Sequence, residues 1–130
     1  MPTSIQPELW VDNPRAAVAF YETAFGATTV HLVGGGDDIV AQLSVDDAAF
    51  WVAATSPTMK RLSPRSIDGA TSRTLLVVDN PDEVVRQAVT AGATQNSPVG
   101  EEHGWRLGRI TDPFGHEWEI GKPLAPWPPS

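Results

Sequence analysis

The chain contains no cysteine. Disulfides, thiolate zinc sites and cysteine nucleophiles are therefore excluded. No apolar run approaches the roughly 18–20 residues needed to cross a bilayer, and the N-terminus carries no secretory h-region. A cytoplasmic location is the resulting expectation. Basic residues are few: nine Lys and Arg stand against sixteen Asp and Glu, leaving a formal charge of -7. That balance argues against nucleic acid, whose binders need basic surface for counterion release. It suits steering of cationic ligands, and equally suits simple solubility. No Gly-x-Ser-x-Gly elbow or Ser-His-Asp arrangement is present, so hydrolase chemistry has no support. Gly34-Gly35-Gly36 lacks the context of a phosphate loop and reads as a hairpin turn.

What is present is a repeat. Leu9-Trp10-Val11-Asp12-Asn13-Pro14 and Leu76-Val77-Val78-Asp79-Asn80-Pro81 open two similar units, offset by 67 residues; Phe25-Gly26-Ala27 and Ala91-Gly92-Ala93 close the helix of each. Two copies are too few for a solenoid and suit one domain of two like halves. Asn13 and Asn80 can cap a helix whose first residue is proline, and Gly26 and Gly92 can end it. Ala17, Phe20, Tyr21 and Ala24 fall on one helical face, as do Val84, Val85 and Ala88. Strand-like runs follow near 28–33, 38–45 and 48–54, and again near 94–99, 105–111 and 116–121. Each half thus reads β-α-β-β-β, an α+β plan over about 5–54 and 72–121. Residues 55–71 are the linker, and 122–130, with four prolines, an extended tail.

A sheet with one face on its helix leaves the other for a cleft. Alternation sends Gln6, Glu8 and Trp10 to that face from the first strand, and Trp51 from the fourth. From the second half it sends Arg73, Leu75 and Val77, Trp105, Leu107 and Arg109, and Glu119. Phe50, Val52, Trp118 and Ile120 are core. Three of the five tryptophans, Trp10, Trp51 and Trp105, therefore face the cleft. Such rings suit stacking on a planar or cationic ligand; they also suit filling the cavity or a dimer interface. Among the histidines, His116 reads as structural. His103, beside Glu101 and Glu102 in a loop, is a rim group or simply solvated, and His31 has no obvious partner.

The segments Val11-Asp12-Asn13-Pro14 through Ala19-Phe20-Tyr21 to Phe25-Gly26-Ala27, and Asp112-Pro113-Phe114-Gly115-His116-Glu117-Trp118-Glu119-Ile120, resemble those of the vicinal oxygen chelate superfamily. Its members include glyoxalase I, extradiol dioxygenases, bleomycin-resistance proteins and fosfomycin-resistance enzymes. The resemblance covers roughly residues 5–121 and implies paired βαβββ modules curled into a half-barrel cleft, often in a homodimer. Superfamily enzymes hold a divalent metal at four cleft positions, which correspond here to Gln6, Trp51, Arg73 and Glu119. Tryptophan cannot ligate, and arginine offers no lone pair. No metal and no other cofactor is expected from this set. Arg73 and Glu119 instead suggest an ion pair, either positioning a polar ligand or purely structural.

The reading that follows is a metal-independent small-molecule binder resembling the bleomycin-resistance branch, without membrane or nucleic-acid partners. Glu8, Glu117 and Glu119 would meet cationic groups, Trp10, Trp51 and Trp105 would stack, and Arg73 would orient a polar atom; Gln6, Leu75, Leu107 and Arg109 complete the lining. The alternative is a superfamily enzyme (a lyase, isomerase or dioxygenase) with Glu119 as general base. A third reading is an interaction module whose cleft its own side chains fill.

Overall fold

The computed structural model describes residues 2–130. Strand β1 (Glu8–Val11) leads into helix α1 (Pro14–Phe25), followed by β2 (Thr28–Gly35), β3 (Asp38–Val45) and β4 (Ala48–Ala54). The segment to the next strand holds a 3-10 turn, Pro57–Met59, and one helical turn, α2 (Pro64–Ile67). Strand β5 (Arg73–Val77), helix α3 (Pro81–Ala91), β6 (Thr94–Glu102), β7 (Trp105–Thr111) and β8 (Glu117–Pro123) then repeat the plan. No helix among the described residues is long and apolar enough to cross a membrane.

Local chemistry explains the repeated strand-to-helix turn. Asn13 accepts the Ala16 amide at 3.2 Å and Asn80 the Glu83 amide at 3.2 Å, each just before a proline at the first helical position. These bonds satisfy donors that a helix start leaves orphaned. Gly26 closes α1 in the left-handed region at φ 67°, where a side chain would be strained.

The sheets have order β1-β4-β3-β2 and β5-β8-β7-β6, and neither closes on itself. In each, the first strand pairs in parallel with the last, and the other pairs are antiparallel. Each helix lies on its own sheet, and α1 also packs on α3, where Gln87 Nε2 donates to the Thr23 carbonyl at 2.7 Å. The helix-facing sides of both sheets share a single core: the Trp118 ring of β8 lies 5.5 Å from Phe50 of β4 and 4.8 Å from Phe25 of α1. Burying each such ring stabilises the fold by about 1.5–3 kcal/mol. The remaining face of each sheet is turned away from this core.

Three boundaries differ from the sequence expectation. Strand β2 runs through Gly34 and Gly35, so the turn is tighter than the triple glycine suggested. Strand β6 continues to Glu102, which leaves His103 and Gly104 as a two-residue turn, His103 at φ 50°. Strand β8 extends to Pro123, because the Pro123 position still pairs with Trp105.

Candidate functional site

On the outward face of the first sheet, cross-strand register aligns four residues in one row: His31, Gln42, Trp51 and Glu8, one from each of β2, β3, β4 and β1. Directly opposed residues share a face. Gln6, just before β1, locks this row. Its side-chain oxygen accepts from Trp51 Nε1 at 2.8 Å and from Gln42 Nε2 at 3.0 Å. The indole of Trp51 is therefore fixed in orientation, and both lone pairs of the Gln6 oxygen are used. The next row is apolar: Val33, Val40, Ala53 and Trp10. The Trp10 carbonyl accepts from His116 Nε2 at 2.9 Å, which ties β1 to the turn before β8 and gives His116 a structural contact.

On the outward face of the second sheet, Glu119 is the hub. Its Oε2 accepts from Arg109 Nε at 2.9 Å and lies 3.3 Å from Arg73 Nη2. Arg109 also meets Glu102 at 2.9 Å. The hydrogen bond to Glu102, reinforced by the charges of both glutamates, raises the Arg109 pKa. The Glu119 side chain is only 14% exposed, whereas Arg73 is 44% exposed. The guanidinium groups that meet Glu119 stay partly open to water, which screens these pairs, so the cluster matters more for what it presents than for what it holds together. Glu117 stands opposite Arg73 in register. Toward the other end of the strands the face becomes apolar, through Leu75, Val77, Leu107 and Trp105. Trp105 is covered edge-on by Trp127, their centroids 5.3 Å apart, so the tail folds back onto this face.

The sequence-derived residues thus fall into two groups. Gln6, Glu8, Trp10 and Trp51 occupy one outward face; Arg73, Leu75, Trp105, Leu107, Arg109, Glu117 and Glu119 occupy the other. One residue of each group, Gln6 and Leu75, reaches the seam between the sheets, where a cavity of about 330 Å³ is also lined by Phe50, Leu76 and Trp118. The Arg73–Glu119 pair is present, with Arg109 as its closer partner. His31, Gln42 and Glu102 were missed. A β-bulge between Thr29 and His31 shifts the alternation of β2, and β6 runs through Glu102, which the sequence places in a loop. Gln42 was legible, since Ile39, Ala41 and Leu43 are its core-facing neighbours.

The donor set does not suit a divalent metal. The Gln6 oxygen is saturated by nitrogen donors, Trp51 cannot ligate, and a guanidinium occupies the third position beside Glu119. Among the described residues no three His, Cys, Asp or Glu side chains converge.

Comparisons with known proteins agree with this architecture. A family model described as the Glyoxalase/Bleomycin resistance protein/Dioxygenase superfamily matches residues 4–120. An uncharacterised protein of Mycobacterium bovis is 32% identical over 127 residues, spanning 93% of this chain and 84% of that protein. An X-ray structure of a gene product from Arabidopsis thaliana superposes with a TM-score of 0.72 at 27% identity, covering 94% of this chain and all of that one. A bleomycin-binding protein, solved in complex with bleomycin, superposes with a TM-score of 0.65 at 22% identity over 93% of this chain and 98% of that one.

Proposed function

Because the chain belongs to the Glyoxalase/Bleomycin resistance protein/Dioxygenase superfamily, we propose that it is a homodimeric binder of bulky planar, cationic small molecules that needs no protein-bound metal. The observation that carries this reading is the use of the Gln6 oxygen. At the first of the superfamily's metal positions it holds the Trp51 indole as a fixed stacking surface. The cluster around Glu119 supports it from the second sheet, where carboxylates and guanidinium groups offer polar anchors beside an apolar stretch. A protein of the same fold holds bleomycin.

The two outward faces point away from the shared core, so one chain presents two half-sites. A second copy closes them, with the Trp51 face of one protomer over the Glu119 face of its partner. Ligand would then be enclosed by indole on one side and by the charged cluster on the other. Stacking on an aromatic ring contributes on the order of 1 kcal/mol per contact, more when water is excluded.

Light scattering of the purified protein, followed by tryptophan fluorescence titrated with bleomycin and with proflavine, tests the reading. A dimer with saturable quenching that weakens in Trp51→Ala supports it. A monomer that no planar compound quenches counts decisively against it. Stoichiometric uptake of Ni, Zn, Mn or Fe by the wild-type protein would favour a superfamily enzyme with Glu119 as base.

A further inference from the structure

The row His31–Gln42–Trp51 carries more information than a stacking surface. Neighbouring strands are about 4.8 Å apart, so His31 and Trp51, two strands apart, are separated by roughly 10 Å. That is about the length of two or three fused aromatic rings. A flat molecule stacked on Trp51 and extending along the row passes over Gln42 and ends at His31. The side chain of Gln42 is oriented by its own bond. Its amide donates to Gln6, which leaves its carbonyl oxygen as an acceptor on the outward face. His31 is exposed on the edge strand, and its imidazole offers one acceptor and one donor when neutral.

We infer that His31 and the Gln42 carbonyl form a hydrogen-bonding edge that selects planar ligands bearing N–H or O–H donors along one side. The inference rests on the reading of Trp51 as a stacking surface. Its chemistry is specific: the Gln42 carbonyl oxygen can only accept, so a ligand with no N–H or O–H along that edge leaves it without a partner. A buried acceptor left unpaired is costly, whereas stacking is indifferent to it. Discrimination therefore arises at the polar edge, while Trp51 supplies affinity common to all flat ligands.

Two cationic acridines separate these contributions. Proflavine carries primary amino groups on its long edge; acridine orange has the same ring, the same charge and the same protonated ring N–H, but its amino nitrogens are dimethylated, so the two dyes differ in their amino donors. Both are titrated against wild type, His31→Ala, His31→Asn and Trp51→Ala. His31 is exposed, so its replacement leaves the fold intact, and thermal melting confirms this. The wild type is expected to prefer proflavine, and His31→Ala to weaken proflavine about five- to tenfold while changing acridine orange less than twofold. His31→Asn, which retains a donor and an acceptor, restores part of the preference. Equal effects of His31→Ala on both dyes, or no effect on either while Trp51→Ala weakens both, overturns the inference and leaves the stacking reading standing. If Trp51→Ala changes neither dye, or neither binds the wild type, the stacking reading fails and this inference with it.

Discussion

The Tyr21 hydroxyl donates to the carboxylate of Asp112, joining the helix of the first module to a turn of the second. Asp112 is itself buried at 4% exposure and accepts from Trp118 Nε1 at 3.0 Å and from the amides of Phe114 and His116 at 2.9 and 3.0 Å. One carboxylate therefore organises the Asp-Pro-Phe-Gly turn and fastens both modules to a common core. Burial first, and the Asp112 charge next, raise the Tyr21 pKa well above its ordinary value. A group raised in this way contributes stability that is intact below about pH 10 and is lost as pH climbs through the folded value. Tyr21→Phe removes one donor from a buried carboxylate and is expected to cost about 1–3 kcal/mol at neutral pH. Urea unfolding of both proteins between pH 7 and 11 checks this: the wild type loses stability at the alkaline end, and the gap to Tyr21→Phe narrows.

Arg106 grips Asp82 in the first turn of α3 with two bonds of 2.6 and 2.7 Å. That hydrogen bonding holds the Asp82 carboxyl below the usual aspartate range, and Asp82 in turn raises Arg106. A depressed folded pKa means that the contribution exists above the unfolded value of about 3.9 and disappears as pH falls through the folded one. NMR titration of the Asp82 side chain is expected to show a midpoint below the ordinary value. Arg106→Ala brings it back up, and an unchanged midpoint would show that the pair is not formed in solution.

The α+β class, helices α1 and α3 and the βαβββ order were legible because each rests on local chemistry, whereas the single turn α2 falls in the stretch read as a linker. Asn-Pro starts a helix, glycine ends it, and alternation assigns core residues such as Phe50, Val52, Trp118 and Ile120. The outward faces were legible for the same reason, wherever strands are regular. His31 reads from sequence only as a mid-strand residue without a partner, and alternation would not place it, because one bulge inverts the phase of β2, a backbone event with no marker in residue type. The separation of Trp51 from Glu119 was equally hidden. Alternation tells which face of its own sheet a residue occupies, but not how two sheets sit about a core. Likewise nothing in the proline-rich tail announced that Trp127 packs on Trp105.

Gly121 lies between Val77 and Leu107 on the outward face of the second sheet. A Cβ there would meet the Leu107 side chain and come within 2.8 Å of the Arg106 carbonyl oxygen. Leu107 can turn aside, but the backbone oxygen cannot without shifting β7. Gly121→Ala is expected to cost about 1–3 kcal/mol, as overpacking in a tight site does. Guanidinium denaturation measures it. A cost below roughly 0.5 kcal/mol would mean that the two strands separate more easily than their register suggests.

If Gln6, Trp51, Arg73 and Glu119 stand at the superfamily's metal positions, as proposed, replacing Trp51 by glutamate and Arg73 by histidine would turn them into a ligating set. Three oxygen donors and an imidazole suit Ni or Zn, and the substitution removes both the ring and the guanidinium that oppose a cation. The first pair lies on one outward face and the second on the other, so a single chain offers each ion only half a shell. Metal binding in the double variant is therefore expected to require the dimer. Elemental mass spectrometry should find roughly one ion per chain in the dimeric fraction and none in the wild type prepared alongside it. Because only the assembled site binds the ion, metal should also strengthen association, and sedimentation at several protein concentrations would show a tighter dimer with Ni than with chelator. Adding Glu119→Gln to the double variant should abolish both effects. Full uptake by a monomeric fraction would mean that the two faces meet within one chain, and would remove the argument for a site shared between copies.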